Sequence, residues 1–121
     1  MDREIKNAKI TGTMLGQEDH GILSCMINLN YGGSGQGFGG YCLDEPHKVN
    51  GEFKGRRGTA YGMEFIRRVL ETVGVEKWED LKGKHVRADC EWVRVHGIGH
   101  ITENKWFYPE RDLVEFLEKR P

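Results

Sequence analysis

The clearest alternation of apolar and polar positions runs over residues 22–31. Its apolar positions are Leu23, Cys25, Ile27, Leu29 and Tyr31. Successive side chains of a strand point to opposite faces, so these residues share one side of an extended chain. The pattern predicts a strand with one buried face. A second strand is predicted over residues 4–15, followed by a polar turn at 16–21.

Further strand patterns occur in the middle and last parts of the chain. Residues 41–43 predict a strand that returns after a glycine-rich segment, and the polar residues 44–58 form either a long loop or an extra hairpin. Residues 84–95 alternate through Trp92 and then change phase, which predicts a bulge or a turn. A last strand is predicted over residues 104–108.

Apolar residues three and four positions apart predict one central helix. Thr59 can cap its start and Gly74 can end it. Its predicted buried stripe consists of Met63, Ile66, Leu70 and Val73. A short helical turn is expected over residues 76–83, and a C-terminal helix is expected from Pro109 to about Lys119.

The order of these elements is three strands, a helix, two strands and a helix. It predicts an α+β fold with a mostly antiparallel β-sheet, one central helix and a C-terminal helix. The same order matches a five-stranded OB-like barrel, whose helix falls between strands three and four, so this barrel stays an option. At 121 residues the chain is expected to form a single domain, 1–121.

Composition narrows the possible partners and location. The 18 basic and 19 acidic residues give a formal charge of −1, which argues against nucleic acid as the partner. No apolar run approaches the roughly 20 residues that cross a bilayer, so no membrane association is expected. The chain starts without the apolar segment of a signal peptide, and its three cysteines lack short spacing. A cytoplasmic protein with reduced thiols is therefore predicted.

The most unusual stretch is residues 31–41, where six of the nine inner residues are glycine. It contains a G-x-G-x-x-G match at 35–40, but a strand pattern follows where the dinucleotide fingerprint needs a helix. A Walker loop is excluded because no Lys-Ser/Thr follows. Consecutive glycine amides could instead form a nest for anionic oxygens. The alternative is a twisted glycine-rich hairpin packed against a neighbouring element.

Groups suited to an anionic, base-containing ligand lie on both sides of the glycines. Phe38, flanked by glycines, is expected to have little local packing and could stack a base, anchor a partner or act as a plug. Arg56 and Arg57 precede the N-terminus of the predicted helix, where anions are favoured. The predicted ligand-binding residues are Gly33, Ser34, Gln36, Gly37, Phe38, Arg56, Arg57, Tyr61, Gly99, His100 and Asn104.

No motif predicts a metal, a cofactor or a catalytic residue. His96 and His100 lie four residues apart near Cys90, but a zinc site would need a further ligand from elsewhere. His20 has no accompanying nucleophile motif, and a turn between strands accounts for it. The chain is therefore expected not to be an enzyme.

Five segments together resemble a known family. They are LGQEDHGIL at 15–23, YGGSGQGFGGY at 31–41, FIRR at 65–68, WEDLKGK at 78–84 and GIGH at 97–100. They are similar to short proteins of phages and prophages, the anti-Thoeris proteins of the first type. The resemblance implies a non-catalytic sponge in the host cytoplasm that forms dimers or higher oligomers. It would sequester a cyclic ADP-ribose isomer or related cyclic nucleotide signal without degrading it.

Three other functions remain open at the level of sequence. An OB-like single-stranded nucleic-acid-binding protein would need a basic groove with aromatic residues along it. An inhibitor of a host defence protein could use Phe38 as its anchor. A small hydrolase could use His20 or His100, and it would turn the nucleotide over instead of storing it.

Overall fold

The fold is organised by a six-stranded antiparallel sheet. The structure is a computed structural model that describes residues 2–118. Its strands are β1 Glu4–Asp19, β2 Ile22–Asn30, β3 Gly35–Cys42, β4 Asp44–Val49, β5 Glu52–Gly58, β6 His85–Glu91, β7 Arg94–His100 and β8 Trp106–Phe107. The large sheet has the order β3-β2-β1-β6-β7-β8, and β4 and β5 form a separate hairpin. The predicted α+β class with a mostly antiparallel sheet is confirmed.

The large sheet curls without closing. β3 and β7 approach each other although three strands separate them in the sheet. Within the described residues, however, no ladder of backbone hydrogen bonds joins these two strands, so the barrel is open along what we call the seam. Gln36 crosses the seam, where its Nε2 donates to the carbonyl oxygens of Glu91 at 2.9 Å and Trp92 at 3.1 Å.

β1 is longer than the sequence pattern predicts. Its first part, from Glu4 to Lys9, pairs with β6, and the part from Lys9 onwards pairs with β2 as far as Asp19. The predicted turn at 16–21 is therefore wrong over its first four residues, and only His20 and Gly21 make the turn. Polar residues do not interrupt the strand because this end of the hairpin is solvent-exposed and needs no alternating pattern.

Residues 44–58 form an extra hairpin, the second of the two alternatives. Its turn is Asn50–Gly51, with φ angles of 52° and 80°, which is the left-handed geometry that Asn-Gly favours in two-residue hairpin turns. Near the base of the hairpin, the buried Asp44 accepts hydrogen bonds from Arg56 Nε at 3.0 Å and Nη2 at 2.8 Å. This pair ties the two strands together where they leave the sheet.

Acid should weaken the fold through Asp44. The hydrogen bonds from Arg56 hold the pKa of Asp44 below its ordinary value of 3.8. A carboxyl with a lowered pKa stabilises the folded state above its unfolded pKa and loses this contribution as the pH falls through the folded value. We expect Tm, followed by circular dichroism, to drop below about pH 5, and Asp44→Asn to make that drop shallower. An unchanged slope in Asp44→Asn, relative to the exposed Asp80→Asn, would contradict this role.

The central helix α1, Ala60–Val73, has the predicted ends. Thr59 Oγ1 accepts from the Gly62 amide at 2.9 Å, and Gly74 follows the helix with a φ of 89°. Of the predicted buried stripe, Val73 is buried and Ile66 and Leu70 pack half-buried against the core, whereas Met63 is wrong, since it is 69% exposed. The buried apolar residues of α1 are Tyr61, Phe65, Val69 and Val73. These residues recur every four positions, so the aromatic rings of Tyr61 and Phe65 lie against the sheet. The spacing of the aliphatic residues alone does not indicate that aromatic rings face the core.

The C-terminal part contains two short helices in place of the single predicted one. They are α2 Pro109–Asp112 and α3 Val114–Glu118, separated by the fully buried Leu113. The predicted end at Lys119 lies outside the described residues. The short helical turn before β6 is a 3₁₀ turn at Trp78–Asp80, and the Trp78 indole donates to Thr13 Oγ1 at 3.1 Å.

Candidate ligand-binding site

The glycines of β3 serve the packing of the strand itself. Gly35, Gly37 and Gly39 occupy alternate positions on the face opposite Phe38. A Cβ at Gly37 would lie 2.6 Å from Met26 Sδ, and one at Gly39 would overlap the carbonyl oxygen of Cys25. Gly39 also has a φ of 137°. These contacts favour the hairpin alternative over a nest for the predicted residue Gly37.

The expectation that Phe38 has little local packing is wrong. Its side chain is 0% exposed and stacks on Phe65 with ring centroids 6.1 Å apart, and Phe107 meets it edge-on at 6.3 Å. Phe38 points inward from β3, so its ring lies beneath α1 even though both of its sequence neighbours are glycine. Phe38 therefore does not present a face to a base, and it does not present an anchor to a host protein.

The predicted arginines face carboxylates. Arg56 is bound by Asp44, and Arg57 Nε and Nη2 lie 3.3 and 3.2 Å from Glu45 Oε2. Both belong to the β4–β5 hairpin, where Arg57 is paired directly with Glu45, and Arg56, paired with Pro46, reaches Asp44 diagonally. Tyr61, predicted alongside them, is buried in the first turn of α1. These residues do not gather around the glycine segment.

The third predicted group lies at the end of β7. A Cβ at Gly99 would lie 2.6 Å from the Trp106 ring, which rests on that glycine. His100 Nδ1 accepts from the amides of Thr102 at 3.1 Å and Glu103 at 3.0 Å, and so shapes the turn into β8. Asn104 is exposed in the same turn. Along the sheet, His100 lies three strand spacings from the end of β2, roughly 14 Å.

A cavity of about 210 Å³ opens beside the β2–β3 turn and includes two predicted residues, Ser34 and Gln36. The predicted Gly33 is exposed in the same turn. We call this cavity the Tyr31 pocket. Its lining consists of Asp2, Glu4, Lys6, Tyr31, Ser34, Gly35, Gln36, Cys90, Glu91 and Trp92.

Hydrogen bonds fix the wall of the Tyr31 pocket. The Tyr31 hydroxyl donates to Gln36 Oε1 at 2.6 Å, and the Gln36 amide nitrogen is held by the β6–β7 turn. Burial raises the pKa of Tyr31, so its hydroxyl keeps the proton that it donates. The Lys6 ammonium lies 4.9 Å from the centre of the Tyr31 ring. The wall is therefore ordered before any ligand arrives.

Trp92 is the free aromatic ring of the pocket. It lies in the two-residue β6–β7 turn and is 83% exposed, although its place in the alternation of residues 84–95 predicted a strand position. The phase change at the next residue was the only signal of the turn. A planar ring could stack on this indole at the mouth of the pocket.

The pocket is acidic. Asp2, Glu4 and Glu91 contribute carboxylates, of which Glu4 lies 3.4 Å from Lys6 and Glu91 lies 3.3 Å from His96. Carboxylates accept hydrogen bonds and repel phosphate. The pocket suits a ring that carries N–H donors, such as the amino group of a purine.

Comparisons with known proteins do not identify a related site. Neither family models nor curated proteins nor solved structures give a match to the chain. Within residues 2–118, no group of three or more His, Cys, Asp or Glu residues is arranged to hold a metal ion. No helix in that part of the chain is long and apolar enough to cross a membrane.

Proposed function

We propose that the protein captures a cyclic ADP-ribose isomer or a related cyclic nucleotide and releases it unaltered. It would thus act as a phage anti-defence sponge of the anti-Thoeris kind. The observation that carries the proposal is the Tyr31 pocket, where an exposed tryptophan, an ordered tyrosine and hydrogen-bond acceptors surround a space of about 210 Å³. Stacking plus acceptors for an amino group are what an adenine ring requires.

The size of the pocket supports a site shared between two copies of the chain. About 210 Å³ is below the roughly 300 Å³ at which ligand pockets usually begin, so it suits one base and not a whole dinucleotide. Sequestration with a Kd near 1 nM corresponds to about −12 kcal/mol, which requires most of the ligand to be covered. A homodimer or higher homo-oligomer would supply that cover. Trp92 and Val93, 83% and 71% exposed at the rim, offer apolar surface for it.

Titration calorimetry with cyclic ADP-ribose isomers tests the base site. We expect Trp92→Ala to weaken binding on the order of tenfold or more, because stacking of a base on an aromatic ring contributes about 1–3 kcal/mol. Phe53→Ala is the matched control, since Phe53 is an exposed aromatic residue of the β4–β5 hairpin and does not line the pocket. Equal affinities of the two variants for the nucleotide would show that its base does not bind in this pocket.

Recovery of the ligand distinguishes capture from turnover. After incubation and heat denaturation of the protein, chromatography should return the nucleotide intact and in stoichiometric amount. Linear or cleaved products would favour the hydrolase alternative. No heat with any cyclic nucleotide would end the sponge proposal altogether.

The order of the sheet favours a second candidate, a single-stranded nucleic-acid-binding protein. Strands β3-β2-β1-β6-β7 follow the order of an OB barrel. Two features weigh against it: the net charge is −1, and Trp106 lies between Gly99 and the Arg87 guanidinium, 4.6 Å from its ring centre. Salt-dependent binding of single-stranded DNA would establish this function, and its absence would dismiss it.

A further inference from the structure

A second depression, of about 470 Å³, also has Tyr31 in its lining. We call it the Lys9 groove, and its polar lining consists of Asn7, Lys9, Thr11, Asn30 and His85, together with the Gly32 backbone. We propose that this groove binds phosphate oxygens. The identity of the molecule that carries the phosphate rests on the proposed function, whereas the preference for an oxyanion rests on the groove alone.

The register of the sheet brings the side chains of the groove together. Lys9 is the residue at which β1 passes from one neighbour to the other, so it pairs with His85 of β6 on one side and with Asn30 of β2 on the other. Directly opposed residues of antiparallel strands place their side chains on the same face. That face is the outer one here, because Ala8 and Ile10 point into the core. Three hydrogen-bonding groups thus lie side by side on the surface.

The groove offers donors and no negative charge. No acidic residue lines it, and the side chains of Lys9 and His85 make no ion pair or hydrogen bond within residues 2–118. Asn30 Oδ1 accepts from the Gly32 amide at 2.7 Å, so its NH₂ group is the part left for a ligand. An ammonium, an imidazole and a carboxamide NH₂ together form a site that complements an oxyanion.

Arginine does not offer a competing site. Every arginine between residues 2 and 118 already lies against an acceptor. Carboxylates form ion pairs with Arg3, Arg56, Arg57, Arg67, Arg68, Arg94 and Arg111, and backbone carbonyl oxygens accept hydrogen bonds from Arg87. A phosphate bound there would have to displace a carboxylate. At Lys9 it would displace only water.

The two depressions divide the chemistry of a nucleotide between them. The Tyr31 pocket is acidic and suits a base, whereas the Lys9 groove offers donors without a carboxylate and suits phosphate. Tyr31 lines both, so a ligand that passes around this ring would present its base to one side and its phosphates to the other. The groove replaces Arg56 and Arg57, which the sequence predicts as the anion-binding residues.

Amide NMR titrations with inorganic pyrophosphate at constant ionic strength test the groove. We expect shifts concentrated at residues 7–11, 30–32 and 85, and an affinity about tenfold lower in Lys9→Ala, as for loss of one charge-assisted hydrogen bond. Lys77→Ala is the matched control, because Lys77 is exposed, has no ion pair among the described residues and lines neither depression. Unchanged melting temperatures would confirm that both variants are folded.

The outcomes separate this proposal from the proposed function. Shifts by pyrophosphate in the groove, with the loss in Lys9→Ala alone, support the oxyanion site. A parallel titration with adenosine should shift the amides of the Tyr31 pocket instead. If pyrophosphate binds but neither adenosine nor any cyclic nucleotide does, the oxyanion site is supported and the proposed sponge function is rejected. Absent or dispersed shifts, or equal affinities for the two lysine variants, overturn the groove.

Discussion

Replacing Gly39 with alanine should destabilise the protein by about 3 kcal/mol or more, close to the limit of what a single substitution does. The φ of 137° at Gly39 is a conformation that a side chain rarely adopts, and a Cβ would overlap the Cys25 carbonyl oxygen on the neighbouring strand. Backbone cannot move aside as a flexible side chain can. Urea unfolding followed by circular dichroism would measure the loss of free energy.

Gly33→Ala is the matched control within the same glycine-rich segment. No atom lies within 4 Å of a Cβ placed at Gly33, and its φ is outside the left-handed region. Its free energy of unfolding should change by no more than about 0.5 kcal/mol. Similar losses in both variants would show that the segment as a whole, and not the close approach at Gly39, requires glycine.

Phe38→Ala should cost about 3–5 kcal/mol, the usual range for removing a buried phenylalanine. The ring lies at the centre of an aromatic cluster with Phe65, Phe107 and Tyr41, so its loss leaves a cavity that rigid neighbours cannot fill. Thermal and urea unfolding would both report the effect.

Phe53→Ala makes the same chemical change at a ring that is 58% exposed near the tip of the β4–β5 hairpin. We expect it to leave the free energy of unfolding within about 0.5 kcal/mol of the parent. A Phe38→Ala protein as stable as Phe53→Ala would place Phe38 on the surface and revive its use as a stacking platform or anchor.

Local chemistry explains which elements the sequence predicts well. The ends of α1 follow from Thr59 and Gly74, whose capping contacts are made within four residues along the chain. β2 follows from its alternation, because Cys25, Ile27 and Leu29 are buried on one face whereas Asn28 and Asn30 are exposed on the other. Both signals are local and do not depend on how the rest of the chain folds.

Tertiary pairing decides what the sequence leaves open. The last part of β1 extends to Asp19 only because β2 pairs with it, and its exposed polar residues carry no alternation. Trp92 continues the alternation of β6 although the chain has already turned, so its exposure depends on where the hairpin reverses. The polar composition of residues 44–58 fits a hairpin and a long loop equally well, so composition does not distinguish the two predictions.

The candidate site was only partly predictable for the same reason. Ser34 and Gln36 follow from the glycine turn and do line the Tyr31 pocket. Arg56 looks like a free cation until hairpin pairing sets Asp44 against it. Lys9 and His85 are far apart in sequence and meet only because β1 pairs with β6, and Asn30 joins them because β1 then pairs with β2.

A barrel whose seam is held by side-chain hydrogen bonds, here those of Gln36 and the one from Arg94 Nη2 to the Tyr41 hydroxyl at 3.3 Å, opens more readily than one closed by a ladder of backbone hydrogen bonds. Amides on the seam edge of β3 should therefore exchange with solvent through a local opening that leaves the core intact. Gln36 belongs both to this fastening and to the Tyr31 pocket, so an occupant of the pocket would bridge the two lips of the opening. Deuterium uptake along β3 would then record occupancy of the pocket without a labelled ligand.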